Sequence, residues 1–90
     1  MNNIDQSTLF SQIQNFVIET SFSDKDKITE TVYLFKDGYF DSMGFVSLIA
    51  FIEDKYKVKV NDDELVEENF ETIRAIAGFI TKKLSSTSTL

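Results

Sequence analysis

The chain has 90 residues, a formal charge of −6 and a pI near 4.4. With 42% hydrophobic and 13% aromatic residues it is predicted to be globular, and no apolar run reaches the roughly 18 residues of a membrane span. The acidity argues against nucleic acid or an anionic membrane surface as partner, and membrane insertion is not expected. We expect a monomer with one domain over residues 1–84 and a disordered polar tail over residues 85–90.

Two residue types are absent from the chain, and both absences limit its chemistry. Without histidine a Ser-His-Asp catalytic arrangement is impossible, and without histidine and cysteine a zinc site is not expected. A calcium loop that begins at Asp24 is excluded, because Ile28 and Phe35 stand at two of its ligand positions. Since nothing indicates disulfides, the cytoplasm is the expected location. We therefore predict no catalytic residue and no metal ligand.

Apolar residues recur at helical spacing in three long segments and a short one, which predicts an all-α fold. The first helix is predicted over residues 5–20 with Asp5 as its N-cap. The second is predicted over Ser42–Tyr56 with Ser42 as its N-cap, and the last over residues 71–84. With a short third helix, these segments form a small four-helix bundle.

The connections between these helices are predicted from weaker signals. Residues 21–41 form a long loop whose apolar side chains are expected to fold back onto the helices. The short third helix is predicted over residues 61–68, where Asn61 begins a capping-box pattern. Its only candidates for burial are Leu65 and Val66, so it is expected to be the most mobile element.

The second helix carries two apolar rows. At about 100° per residue, one narrow stripe holds the expected core residues Phe45, Leu48, Ile49, Ile52 and Tyr56. A second row consists of Met43, Val46 and Ala50 and lies roughly 90° or more around the helix. Because a helix of a small bundle needs one buried stripe, the second row is either covered by the long loop or exposed as a docking surface.

The order of these helices and several short motifs resemble the acyl and peptidyl carrier proteins, including the D-alanyl-type carriers. The resemblance covers residues 5–84 and centres on Asp41-Ser42-Met43 at the start of the second helix. It is strengthened by residues around that motif and in the last helix, namely Leu34, Phe35, Gly38, Gly44 and the segment 69–77. The family's fold is the same small all-α bundle that the periodicity predicts.

This resemblance implies a covalent cofactor. In the family a phosphopantetheinyl transferase attaches 4′-phosphopantetheine to the serine that Ser42 matches, and other enzymes load and transfer acyl or aminoacyl groups on its thiol. Asp41 would contribute to recognition by the transferase and to the start of the helix. A phosphate on Ser42 would lie at a helix N-terminus, which favours anions. The helix pattern alone, without the resemblance, favours Ser42 as an ordinary N-cap.

The resemblance also implies a docking surface on the second helix. Met43, Val46 and Ala50 match the exposed apolar row that faces partner enzymes. Glu53 and Asp54 match acidic positions near the end of that helix, where partners present basic residues. For these two carboxylates a solvated surface without a partner is an equal alternative.

Departures from the family pattern bear on the pathway. Carriers of primary fatty-acid synthesis usually have an acidic residue two positions after the serine and more acid along the helix, whereas this chain has Gly44 and Ser47. Phe51 is also large for its position. We therefore expect an acyl carrier in a specialised pathway.

Several alternatives remain open at the level of sequence. They are a D-alanyl, aminoacyl or peptidyl carrier in cell-wall or secondary-metabolite synthesis, a fatty-acid carrier, and an interaction module that kept the fold without the arm. A long acyl chain is predicted to shelter between the second and third helices if the third helix moves.

Overall fold

A computed structural model describes the backbone of residues 5–88 and the side chains of residues 5–85. It contains four α-helices: α1 (Gln6–Ser21), α2 (Ser42–Tyr56), α3 (Glu67–Phe70) and α4 (Ile73–Ser88). Two 3₁₀ turns, Lys25–Lys27 and Asp62–Glu64, lie in the connections, and no strand occurs in the described part of the chain. The predicted all-α bundle of three longer helices and a short third one is confirmed. None of the helices described here is long and apolar enough to cross a membrane.

Helix α1 begins and packs as its sequence predicts. Asp5 is the N-cap, and its carboxylate accepts hydrogen bonds from the Thr8 N–H and the Ser7 hydroxyl. The buried face of α1 contains Leu9, Ile13 and Val17, which lie at i, i+4 and i+8 and pack against α4. The helix therefore contributes one apolar stripe to a core that α4 completes.

An unbroken series of aromatic contacts connects all four helices. Neighbouring ring centroids along it lie 4.4 to 6.2 Å apart, and one pair is stacked while the others meet edge to face. In spatial order the rings are Tyr56, Phe51, Phe16, Phe40, Phe35, Phe45, Phe70 and Phe79. Because each such pair adds about 0.5–1.5 kcal/mol beyond its buried area, the series stabilises the positions of α2 and the long loop relative to each other. The large Phe51 is explained by its stacking on Phe16 of α1.

The long loop is held by buried hydrogen bonds as well as by apolar side chains. The Gln14 side-chain amide donates to the Ile28 carbonyl at 2.7 Å, and the Leu34 N–H donates to the Glu71 carbonyl at 2.8 Å. Ile28, Leu34 and Phe40 lie in the core. The prediction that apolar loop residues fold back onto the helices is confirmed, and the loop's C-terminal end is thereby fixed where α2 begins.

The predicted third helix over residues 61–68 is wrong in its extent. The chain forms the 3₁₀ turn Asp62–Glu64, leaves helical geometry at Leu65 and Val66, and begins α3 only at Glu67. Leu65 and Val66 are not buried, with exposed fractions of 41% and 44%. The break follows from local hydrogen bonds, because the Glu64 carbonyl accepts from the Asn69 side-chain amide instead of continuing a helix.

The last helix differs from its prediction at both ends. It begins at Ile73, where the Thr72 hydroxyl accepts from the Ala75 N–H at 3.0 Å as an N-cap does. It continues to Ser88 rather than ending at Leu84, since no glycine or proline stops it. Residues 89–90 of the predicted tail lie outside the described residues, and the division of the chain after residue 84 stays a prediction.

Tyr56 provides a test of the packing of α2 on α1. Its hydroxyl donates to the Gln12 side-chain oxygen at 2.7 Å, and burial raises the pKa of Tyr56 to about 12. An unfolded tyrosine ionises near pH 10, so the stabilisation from the neutral hydroxyl is complete below about pH 10 and is lost as the pH rises towards 12. We predict that Tyr56→Phe lowers the free energy of unfolding by about 1 kcal/mol at neutral pH.

The measurement is urea denaturation of both proteins at neutral and alkaline pH. The difference in unfolding free energy should shrink above about pH 10. In this range the hydroxyl of residue 56 ionises in the unfolded wild type but not in the folded protein, which favours unfolding, and the variant lacks this hydroxyl. The variant serves as the control for all other titrating groups, since it retains them. A difference that stays constant across this range would contradict the buried position of the hydroxyl.

Candidate functional site

The start of α2 is capped by Asp41, and the prediction that Ser42 is the N-cap is wrong. Asp41 has extended backbone angles, its carboxylate accepts from the Gly44 N–H at 3.0 Å, and its carbonyl accepts from the Phe45 N–H at 2.9 Å. These are the two bonds of an N-cap residue. Ser42 is therefore the first residue of the helix, and its hydroxyl is released from the capping role.

Gly44 allows a close contact at the start of the helix. A Cβ atom at this position would lie 3.0 Å from Cδ1 and 3.1 Å from Cγ of the Phe40 ring. The ring itself is held in the core by edge-to-face contacts with Phe16 and Phe35. Phe40 can pack this closely against α2 only because Gly44 has no side chain. Asp41, the next residue in the chain, caps the helix directly beside this contact.

Ser42 presents a free hydroxyl at the positive end of a helix of 15 residues. Its side chain is exposed, and the structure gives the hydroxyl no hydrogen-bond partner among the described residues. The N–H groups of Ser42 and Met43 have no intrahelical acceptor, as at the start of every α-helix. A phosphate bonded to the Ser42 oxygen is favoured there by those N–H groups and by the helix dipole. The residues at this position thus fit a phosphate-linked group.

An apolar cleft of 710 Å³ lies beside Ser42, between the start of α2 and the segment that contains α3. The polar residues that line it are Ser42, Asp41, Lys36 and Glu67, and the apolar wall is formed by Phe35, Phe45, Val46, Leu65, Val66 and Phe70. The sequence prediction did not name Phe35, Lys36 and Phe70 as part of a site. Phe35 and Phe70 could have been found from the sequence, because large apolar residues are unusual in solvated connections between helices. Nothing in the sequence distinguishes Lys36 from other surface lysines. The shelter predicted for a long acyl chain lies in this region and stays a prediction.

The predicted docking row is exposed along α2. Met43 and Val46 have exposed fractions of 71% and 61%, and Ala50 is exposed one turn further along the helix. Of the two alternatives for this row, exposure is therefore the observed one, and the long loop does not cover it. No charged residue occurs from Ser42 to Ile52, so the row lies on an uncharged stretch of the helix.

The two predicted acidic docking residues have different surroundings. One carboxylate oxygen of Glu53 accepts from the Val60 N–H at 2.9 Å, and the side chain is half-buried. Glu53 thus holds the connector that follows α2. Asp54 is exposed and has no such bond among the described residues, so it is the one of the pair whose carboxylate faces solvent.

Glu64 holds the wall of the apolar cleft. The sequence prediction did not assign this carboxylate to the site. Glu64 accepts from the Asn61 N–H at 2.9 Å and from the Lys83 ammonium at 2.9 Å, just before Leu65. The bond from the Asn61 backbone, followed by that from Lys83, holds the pKa of the Glu64 carboxyl below its usual range. These bonds connect the cleft wall to α4. Among the described residues no group of acidic side chains could hold a metal ion.

Comparison with known proteins agrees with this geometry. Residues 20–80 match the family model for a phosphopantetheine attachment site. The acyl carrier protein of Thermotoga maritima is 33% identical over 76 residues, which are 84% of this chain and 91% of that relative. The acyl carrier protein of Lactobacillus johnsonii is 28% identical over 75 residues, 83% of this chain and 91% of its own. That of Borreliella burgdorferi is 26% identical over 80 residues, 89% of this chain and 98% of its own.

The fold and the site define a small helical protein that presents an attachment point for a covalent arm. The chain belongs to the acyl carrier protein family, and its cofactor is 4′-phosphopantetheine. Proteins of this family carry groups and are not catalysts. The carrier role implies interaction with enzymes that modify the protein and that handle its acyl group.

The capping assignment predicts unequal effects of two neighbouring substitutions. Asp41→Ala should lower the free energy of unfolding by about 1 kcal/mol, because the Gly44 N–H loses its acceptor. Ser42→Ala should change it by less than about 0.5 kcal/mol, since an exposed side chain without a partner is removed. Urea denaturation measures both values, and Asp41→Asn, which retains an acceptor oxygen, is the control. A larger effect of Ser42→Ala than of Asp41→Ala would restore Ser42 as the N-cap.

The Phe40 contact predicts opposite effects of the same substitution at two glycines. Gly44→Ala should destabilise the protein by about 1–2 kcal/mol, because the new methyl group meets a ring that the core prevents from moving. Gly78 lies within α4, and a methyl group added there would meet no atom within 4 Å, so Gly78→Ala should stabilise by about 0.5–1 kcal/mol. Thermal and urea denaturation give both signs, and stabilisation by Gly44→Ala would contradict the close contact.

Proposed function

We propose that this protein is an acyl carrier whose 4′-phosphopantetheine arm is attached to Ser42. The observation that carries the proposal is the exposed hydroxyl of Ser42 at the first residue of α2, left free because Asp41 caps the helix. Ser42 lies within the residues 20–80 that match the attachment-site family. Another serine of α2, Ser47, is also exposed, but it lies more than one turn away from the helix N-terminus.

The attachment forms one bond and breaks another. The Ser42 oxygen bonds to the phosphorus of the phosphopantetheine part of coenzyme A, the pyrophosphate bond breaks, and 3′,5′-ADP leaves. The serine proton passes to a base on the transferase. When bound, the arm supplies a thiol that holds an acyl or aminoacyl group as a thioester. The chain has no cysteine, so its own side chains do not compete for that group.

The surroundings of Ser42 support a role in holding the arm's phosphate. The N–H groups at the start of α2 point toward it, and Lys36 lines the same apolar cleft. The Asp41 carboxylate is bonded to the Gly44 N–H, so its charge is partly satisfied within the protein. We propose that these groups keep the attachment point rigid while the rest of the arm reaches partner enzymes.

We further propose a specialised acyl or aminoacyl pathway rather than primary fatty-acid synthesis. Support comes from the uncharged stretch between Ser42 and Ile52 and from Glu53, whose carboxylate is used within the protein. Both features reduce the acidic surface that basic docking sites would recognise. The partners proposed are a phosphopantetheinyl transferase and enzymes that load and transfer the group, docking on Met43, Val46, Ala50 and Asp54. A cytoplasmic location remains a prediction from the sequence.

Intact mass measurement tests the attachment. The protein is incubated with coenzyme A and a broad-specificity phosphopantetheinyl transferase, and a control carrier is treated in parallel. We predict that the wild type gains the mass of one phosphopantetheine and that Ser42→Ala gains none. Ser47→Ala is the matched control, because it removes an exposed serine from the same helix and should still be modified. Circular dichroism confirms that both variants keep the helical fold.

The opposite result would favour an interaction module that has the fold without the arm. That result is an unmodified wild type under conditions in which the control carrier is fully modified. The modified protein then tests the pathway proposal when it is offered to an acyltransferase of fatty-acid synthesis and its acyl donor. We expect slow transfer relative to the control carrier, and transfer at the control's rate would contradict a specialised role.

A further inference from the structure

Phe22 is the most exposed large apolar side chain in the described part of the protein. Its exposed fraction is 94%, followed by Met43 at 71%, and the structure gives the ring no aromatic partner among the described residues. By contrast, the eight other phenylalanines are buried or half-buried. A phenyl ring in water forgoes the free energy that its burial would provide. The fold itself therefore gains little from a phenylalanine at this position.

The backbone of Phe22 is unfavourable for this residue type as well. Phe22 follows α1 as its C-cap with φ of 56° and ψ of 37°, in the left-handed region. Its N–H donates to the Ile18 carbonyl, and the Ser23 N–H donates to the same carbonyl at 3.3 Å. Glycine is the usual residue in this left-handed C-cap conformation, because a Cβ atom is disfavoured there. A glycine would thus serve the helix end better than the phenylalanine does.

The position of Phe22 connects it to Ser42. The two residues before it, Thr20 and Ser21, line a polar cleft of 340 Å³ whose other residues include Asp41 and Met43, the two neighbours of Ser42. The end of α1 and the start of α2 are therefore the two sides of one small cleft. The two most exposed large apolar side chains belong to these two segments, because Phe22 directly follows Ser21 and Met43 lines the cleft itself.

We propose that Phe22 is a docking anchor for the phosphopantetheinyl transferase that modifies Ser42, and that it enters an apolar pocket of that enzyme. The inference rests on the proposed attachment at Ser42. It adds a second contact on α1 to the row on α2, with the polar cleft between them. The unfavourable backbone and the exposed ring are then maintained for binding rather than for stability.

The transferase is the partner that this position favours. Its reaction takes place at the Ser42 oxygen itself, so its surface must approach the start of α2 closely and cover Met43 and the polar cleft. Enzymes that act on the end of a long arm can dock along the row on α2 without reaching the end of α1. A large aromatic side chain at the border of the covered area is the type of residue that dominates binding energy in protein interfaces.

The test compares Phe22→Gly with a matched substitution. Lys57 is the only other non-glycine residue with a positive φ in the described chain, at 57°, and it caps the opposite end of α2, about 20 Å from Ser42. Lys57→Gly relieves the same backbone conformation without touching the proposed contact. Both glycine variants should raise Tm by roughly 3–8 °C.

The transferase kinetics then separate binding from stability. With coenzyme A as donor, Phe22→Gly should raise the KM for the carrier about tenfold or more and leave kcat unchanged, because only docking is weakened. Lys57→Gly should leave both values unchanged. Phe22→Leu keeps an apolar side chain and should recover part of the lost affinity, so that a nonspecific effect of mutation is distinguished from loss of the anchor.

Two results would overturn the inference. One is a KM for Phe22→Gly within twofold of the wild type, and the other is a Tm that falls, which would assign the ring to the fold. Both leave the attachment proposal intact as long as the wild type gains the mass of the arm. Failure of the wild type to be modified would instead reject the attachment itself, and the two failures are thus distinguishable.

Discussion

The close contact between the Phe40 ring and Gly44 is the constraint on which the site depends. A side chain at residue 44 would meet the ring at about 3.0 Å, so the glycine is what allows the end of the long loop to pack into the core at the start of α2. The contact lies directly beside Asp41, which is the N-cap, and Ser42, which is the exposed first residue of the helix with a free hydroxyl. Packing, capping and the exposed serine thus meet within five residues.

The same contact offers a second explanation for Gly44, which departs from the family pattern. Gly44 stands where carriers of primary fatty-acid synthesis usually have an acidic residue, and the sequence alone suggests a difference in docking. In the structure it is also a position of close packing, because a side chain there would press against the Phe40 ring that contacts Phe16 and Phe35. The proposal of a specialised pathway therefore rests more on the uncharged stretch from Ser42 to Ile52 than on Gly44 itself.

Helical periodicity predicted the helices that carry continuous apolar stripes. It did not predict the helix ends and breaks that single hydrogen bonds determine. The bounds of α2 and its two apolar rows follow from residue spacing, while the exposure of the second row is known only from the structure. The capping box of Asn61 and Glu64 forms as its pattern predicts, whereas the break at Leu65 and Val66 depends on the bond from the Asn69 side chain to the Glu64 carbonyl, which no local pattern specifies. Asp41 and Ser42 are both good N-caps, and spacing does not show which of them accepts the hydrogen bond from the Gly44 N–H.

The central claim is that Ser42 carries the arm in the protein as the cell makes it. Tandem mass spectrometry of the protein isolated from its own cells tests this directly, because trypsin releases residues 37–55, in which Ser42 and Ser47 are the only serines. The account predicts phosphopantetheine on fragments that contain Ser42 and an unmodified Ser47. An arm located on Ser47, or a peptide that is entirely unmodified in cells whose other carriers bear the arm, would contradict it.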